Sequence, residues 1–337
     1  MSPSAPAAVV CGVGSWVPPR AVTNEELARR LDTSDEWIRT RTGISRRHVV
    51  DPGVSTSELA TQAGRRALWS SGRPDADAVV LATTTPDRPC PATAPEVASR
   101  LGLTGVPAFD IAAVCTGFVY ALAAGAGLIT SGIAQRVLVI GADAFTTILD
   151  PCDRTTTAIF GDGAGAVVLR CGDPGEPGAV GPFDLGSDGD LADLVAVAAG
   201  GSRQRSAGTP AAEADHYFRM DGRPVFRQAV LRMAESAQRV LERAGWKIED
   251  VDRFVAHQAN ARILASVAAR LELDETRMVR NIDRVGNTAA GSVPLALAEA
   301  VADGTIRPGH RVLLSAFGGG LTWGSAVLRW PDVHTAP

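Results

Sequence analysis

The 337 residues are 45% hydrophobic, 21% charged and 5% aromatic, with a net charge of −4 from 33 basic and 37 acidic side chains. That supports a large core and excludes wholesale disorder. No single-sign run reaches five charges, so neither a nucleic-acid stripe nor a polybasic membrane anchor is indicated. Lys247 is the only lysine, which excludes a phosphate loop ending in Gly-Lys-Ser/Thr and leaves Schiff-base chemistry only a polar turn. The five cysteines, Cys11, Cys90, Cys115, Cys152 and Cys171, form no Cys-x-x-Cys pair, so no metal site or disulfide framework is read. The segment from Met1 to Val17 lacks a basic start, which argues against a signal peptide and for a cytoplasmic protein.

In chain order, a helical pattern over Ser57 to Ser70 precedes apolar runs at Val79 to Thr83 and Ala108 to Ala112. The stretch from Ile111 to Gln135 carries no charge over 25 residues, long enough to span a bilayer. Its Cys115, Thr116, Thr130, Ser131 and glycines favour a buried helix, Phe118 to Thr130. Strands at Val137 to Ile140 and Ala164 to Leu169 follow, and Gly172 to Tyr217 reads as a loop-rich join. Helices over Pro224 to Arg243 and Arg262 to Leu271 then alternate with strands at Phe254 to Ala256, Val312 to Ala316 and Gly324 to Leu328. The pattern is that of an α/β protein with buried sheets.

The two halves echo each other at an offset of 175 residues: Asp77-Ala-Val-Val80 with Asp252-Arg-Phe-Val255, and Arg136-Val-Leu138 with Arg311-Val-Leu313. A duplicated unit follows, with residues 1–172 as one half and 173–337 as the other.

Cys115 sits where a strand runs into the uncharged helix. A helix N-terminus favours a thiolate there, although a buried structural cysteine fits the position equally. His257 follows a buried strand, where α/β folds place reactive groups and also hydrogen-bonded structural histidines. Asn287 lies at the corner matching Cys115 in the second half, and Asn-Thr there is also an ordinary helix cap. The glycines of Phe317-Gly-Gly-Gly320 offer free N–H groups for an oxyanion, or simply close packing.

Together these segments resemble the 3-oxoacyl-[acyl-carrier-protein] synthase III family of the thiolase-like superfamily over nearly the whole chain, from Gly12-Val-Gly-Ser-Trp-Val-Pro18 to Trp323-Gly324. The resemblance rests on Thr33-Ser-Asp-Glu-Trp-Ile38 with Arg41-Thr-Gly-Ile44, Ala113-Val-Cys-Thr-Gly-Phe118 and Ile159-Phe-Gly-Asp-Gly-Ala-Gly165. His257-Gln-Ala-Asn260 with Arg262-Ile263, Gly286-Asn-Thr288 and Phe317-Gly-Gly-Gly320 complete it.

The resemblance implies a duplicated, five-layered αβαβα fold with two mixed β-sheets. It implies an enzyme that loads an acyl group from acyl-CoA onto Cys115 and condenses it, with loss of carbon dioxide, with malonyl-carrier protein. His257 and Asn287 would bind the thioester carbonyl, the N–H groups of Cys115 and Gly319 the oxyanion, and Phe317 would exclude water. Thr33, Trp37, Arg41, Arg154, Gly222 and Asn260 match CoA-contacting positions, with Trp37 and Arg154 sandwiching the adenine. Gln258, Ala259, Asn260, Ala261, Arg262, Arg227 and Arg270 match positions that dock the acyl carrier protein. No permanent cofactor is implied, and the assembly would be a homodimer. Cys90 falls at the end of the acyl pocket, across the dimer interface, where acetyl-selective members often carry Phe, so a primer larger than acetyl is expected. Acyl transfer to a hydroxyl or amine without condensation, a cysteine hydrolase and a non-catalytic partner subunit are the competing readings. The intact His257 and Asn287 argue against the first, the Phe317 gate and the lack of an Asp or Asn placed to orient His257 against the second, and the retained Cys115, His257 and Asn287 against the third.

Overall fold

The computed structural model describes residues 6–336, so the first five residues of the N-terminal segment weighed above lie outside it. Nine strands build two sheets: β1 (Ala7–Trp16), β2 (Ala78–Ala82), β3 (Ala108–Ile111), β4 (Arg136–Asp143), β5 (Gly163–Gly172), β6 (Val180–Ser187), β7 (Arg253–Ala256), β8 (Arg311–Gly318) and β9 (Thr322–Arg329). The first sheet has the order β1-β5-β4-β2-β3, and the second β6-β9-β8-β7. Both are mixed, because β2 runs parallel to β3 and β4, and β7 parallel to β8, while the remaining pairs are antiparallel. In the second sheet a single parallel bridge from Phe254 to Met278 occupies the place that β3 holds in the first.

Seven of these strands follow the apolar runs of the sequence, since strands covered on both faces need no polar alternation. Two do not. β1 is interrupted by Gly12 and Gly14, where an added Cβ would lie 2.4 Å from the backbone of Ala67. The helix crosses β1 so closely there that only glycine fits. β6, the other edge strand, lies inside the segment read as a loop-rich join, so that reading is corrected: half-buried Val180-Gly-Pro-Phe183 pairs with β9.

Seven helices position the site: α1 (Asp35–Thr42), α2 (Thr56–Ser70), α3 (Ala94–Arg100), α4 (Gly117–Thr130), α5 (Gly222–Ala244), α6 (Ala261–Arg270) and α7 (Ser292–Ala302). α2 and α3 cover the outer face of the first sheet and α5 that of the second, with α6 packed on α5. α4 and α7 fill the space between the sheets, giving the five layers αβαβα. The uncharged stretch is therefore a core helix, and no helix of the described residues is long and apolar enough to cross a membrane. Phe118, Val119, Leu122 and Ile129 of α4 are buried, each worth about 1.5–3 kcal/mol.

Candidate active site

The site lies where corresponding elbows of the two halves meet. Before α4 the chain makes a tight turn over Val114–Thr116, and before α7 an equivalent one over Ala289–Gly291. Val114 (φ 46°) and Ala289 (φ 47°), 175 residues apart, both adopt the left-handed conformation that L residues avoid. For a β-branched valine that is strain of about 1–3 kcal/mol, held by the surrounding structure. The strain turns Cys115 out of the line of β3 toward the other half. There Gly318 of β8 lies so close that a Cβ on it would be 2.8 Å from the Cys115 nitrogen.

Cys115, His257, Asn287, Phe317 and Gly319 all line one cavity of about 160 Å³. Burial, reinforced by the Asp143 carboxylate, pushes the Cys115 thiol well above the usual cysteine range. The thiolate expected from the helix N-terminus is thus not the resting form, because desolvation outweighs the dipole. Cys115 is held as a thiol.

His257 follows β7 and is likewise buried, which holds its pKa down at about 3 and keeps the ring neutral. Its Nδ1 lies 3.0 Å from Ser292 Oγ, at the start of α7. Asn287 is clamped by its backbone, N to Ile159 O at 2.9 Å and O from Gly161 N at 3.0 Å. Its Oδ1 accepts the Ala289 N–H at 2.9 Å, and its two Nδ2 hydrogens make no hydrogen bond among the described residues. The free end of the amide is therefore a donor.

Asp143, at the end of β4, was not singled out from the sequence. Its Oδ1 accepts from Thr83 Oγ1 and from the N–H groups and hydroxyl of Thr84 and Thr85, at 2.7–3.2 Å, and Oδ2 from Ala290 N at 2.9 Å. It ties the second elbow to the first sheet. Burial lifts its pKa to about 6 despite those bonds. Also unforeseen is a packed trio, Phe145, Phe160 and Phe218, with ring centroids 4.3–5.2 Å apart, in the same apolar cluster as Cys115.

The remaining expected residues separate into three groups. Trp37, Arg41 and Arg154 do assemble, with the guanidinium carbons 4.7 Å and 5.2 Å from the indole centroid. Arg154 rests directly on the Trp37 indole. Thr33 Oγ1 beside them is buried without a partner among the described residues, whereas Asn260 is occupied, accepting from Arg262 N and donating to Arg41 O. Gly222, Ala259 and Asn260 line the same cavity as Cys115.

Among the docking residues, Arg227, Arg262 and Arg270 are exposed and make no ion pair among the described residues, and Ala261 is half-buried. Gln258 is a correction. It is fully buried, donating to Ala256 O and Val279 O and accepting from Asn281 N, and presents nothing to a partner. Cys90 is exposed and lines neither this cavity nor the open cleft of about 730 Å³ beside it. The cleft and cavity share Val114, Val195 and Phe218, and Pro89 borders the cleft.

Two sequence models match the chain, both described as 3-oxoacyl-[acyl-carrier-protein] synthase III: one over residues 109–189 and its C-terminal counterpart over 241–330. Two beta-ketoacyl-[acyl-carrier-protein] synthases III of Streptomyces coelicolor are 60% and 61% identical, over 97% of this chain and 98% of each relative. The crystal structure of the 3-oxoacyl-(acyl carrier protein) synthase III of Pseudomonas aeruginosa superposes with a TM-score of 0.91 at 52% identity, covering 98% of this chain and all of that one. The priming beta-ketosynthase of a polyketide biosynthetic pathway gives a TM-score of 0.90 at 35% identity, over 98% of both chains.

Proposed function

Because this chain belongs to the 3-oxoacyl-[acyl-carrier-protein] synthase III family, we propose that Cys115, His257 and Asn287 are its catalytic residues, with separate tasks. Like its relatives it is an initiating condensing enzyme, an acyltransferase of fatty acid or polyketide priming. The observation that carries the assignment of residues is their convergence, from opposite halves, on one small apolar cavity.

In the first step Cys115 Sγ attacks the thioester carbonyl of acyl-CoA. The oxyanion is held by the backbone N–H groups of Cys115 and Gly319, the thiol proton leaves with CoA, and acyl-Cys115 remains. In the second step malonyl-carrier protein places its thioester oxygen against the donors of His257 and Asn287. Loss of carbon dioxide leaves an enolate held by those donors, its carbon attacks acyl-Cys115 to give the 3-oxoacyl-carrier protein, and the Cys115 thiolate departs and takes up a proton from solvent. The buried Phe317 in the cavity wall keeps water from the carbanion and the acyl-enzyme. Two neutral donors suit an enolate, whereas hydrolysis or transfer to a hydroxyl needs a base beside the acceptor. The condensation reading is therefore preferred.

Acyl-CoA is substrate, and no permanent cofactor is needed, because side chains and backbone carry each step. Thr33, Trp37, Arg41 and Arg154 receive the nucleotide, and Gly222, Ala259 and Asn260 border the route inward. Arg262, near the mouth, and Arg227 attract the acidic carrier protein. Arg270 lies about 12 Å further along α6 and contributes less. Residues 1–172 and 173–337 form the two halves, and two copies of the chain pair as a homodimer in the cytoplasm. Cys90 of one copy meets the acyl pocket of the other and leaves room for primers longer than acetyl. Intact-mass spectrometry of the wild type and Cys115→Ala, after incubation with acetyl- to octanoyl-CoA, tests this. We expect one adduct on the wild type, strongest beyond acetyl, and none on the variant. An adduct on Cys115→Ala removes the nucleophile assignment, and preferential acetyl loading removes the pocket assignment.

A further inference from the structure

We infer that Ser292 is a positioning residue for condensation: its hydroxyl fixes the tautomer of His257, so that Nε2 carries the ring hydrogen. This rests on the assignment of His257 to the thioester carbonyl made above.

The inference comes from counting hydrogens. A serine hydroxyl has one hydrogen to give and two lone pairs to receive. Ser292 Oγ already accepts the Gln258 backbone N–H at 2.7 Å and lies 3.0 Å from His257 Nδ1. Ser292 is 1% exposed, and its Oγ makes no third hydrogen bond among the described residues. Were Nδ1 protonated, the hydroxyl would accept twice and its own hydrogen would be buried without an acceptor, an arrangement folded proteins avoid. If Oγ–H donates to Nδ1 instead, the hydroxyl, Nδ1 and the Gln258 N–H are all satisfied. A neutral imidazole has a single hydrogen, which then belongs to Nε2.

The consequence is chemical. An Nε2–H joins the Asn287 amide as a second donor to a developing enolate oxygen, whereas a bare Nε2 lone pair would repel it. The chain of control runs from the Gln258 amide, which takes the hydroxyl's lone pair, through Ser292 to the ring. The buried Gln258 therefore contributes a fixed backbone N–H to the site, in place of the carrier contact expected of its side chain.

The test uses Ser292→Ala, Ser292→Thr and His257→Ala in the full-length enzyme. Long-range ¹⁵N–¹H spectra of ¹⁵N-histidine-labelled protein distinguish the two tautomers, and His257→Ala identifies the signal by its loss. We expect the Nε2–H pattern in the wild type and Ser292→Thr, and its loss in Ser292→Ala. Acyl loading of Cys115 stays within about threefold in Ser292→Ala, while condensation with malonyl-carrier protein falls about 10²-fold, the usual effect of removing one oxyanion donor. Ser292→Thr restores it. An unchanged Nε2–H pattern in Ser292→Ala overturns the inference. So does an equal fall in loading and condensation that Ser292→Thr fails to rescue. Wild-type condensation by His257→Ala overturns instead the assignment of His257 itself.

Discussion

The elbows at Val114–Thr116 and Ala289–Gly291 share a backbone, a left-handed first residue and a following buried helix. They share little chemistry. The first carries a thiol toward a cavity, whereas the second carries Ala290, whose N–H is bound by Asp143 and whose carbonyl oxygen lies against Gly141. Duplication supplied two strained corners. One presents a side chain to the cavity, and the other is a buttress that holds Asn287 and Ser292 on either side of it. The same strain at both positions, with a thiol at only one, shows that the conformation belongs to the fold and not to the side chain it presents.

If that division holds, damage to the buttress appears first as lost stability. Asp143→Ala leaves several buried donors unmet and should cost about 4 kcal/mol, read as a lower midpoint in denaturant. A loss below about 1 kcal/mol would break the comparison. Damage to the contact beneath the first elbow should appear in both stability and rate. Gly318→Ala drives a Cβ against the Cys115 and Thr116 nitrogens, with an expected cost of about 2 kcal/mol and slower acyl loading. Unimpaired loading would show that the elbow does not depend on this contact.

The smallest effect is a pH slope that sharpens the comparison. His257, with a pKa of about 3 when folded and about 6.5 ordinarily, gives stability that is present above pH 6.5 and lost as pH falls toward 3. Asp143, lifted from 3.8 to about 6, holds a proton that the unfolded chain releases, so it gains stability as pH falls from 6 to 3.8. Between about pH 6 and 4 the two oppose each other. His257→Gln should therefore become more stable relative to the wild type by about 1.4 kcal/mol per unit as pH falls from 6.5 to 4, measured by denaturant unfolding. A pH-independent difference would mean that His257 is not held neutral by burial.

How much of this the sequence disclosed depended on distance along the chain. Seven strands were legible because sheets buried on both faces print continuous apolar runs, and α2, α5 and α6 because one stripe repeats, whereas α4 showed as a stretch without charge. β1 was hidden because the glycines that let α2 approach also break its pattern, and β6 because its Gly-Pro pair resembles a turn. Cys115, His257 and Asn287 were visible through local motifs. Ser292 and Asp143 were not, since their partners lie 34 and 35, and 58 to 60 and 147, residues away. Gln258 misled for the converse reason: beside His257 and Asn260 in sequence, its side chain points into the core.

The central layer bears on the origin of the molecule. α4 packs against β8 and β9 as well as its own sheet, and α7 against β1, β4 and β5 as well as its own. A half-length chain would leave one face of its helix bare, an apolar surface that stays exposed until a second copy covers it. A single half could cover that face only by pairing with a second copy through the same layer. In such a pair any change at one corner is also made at the other, so a thiol on one side and a hydrogen-bonding pair on the other need two different sequences, which a doubled chain carries within itself.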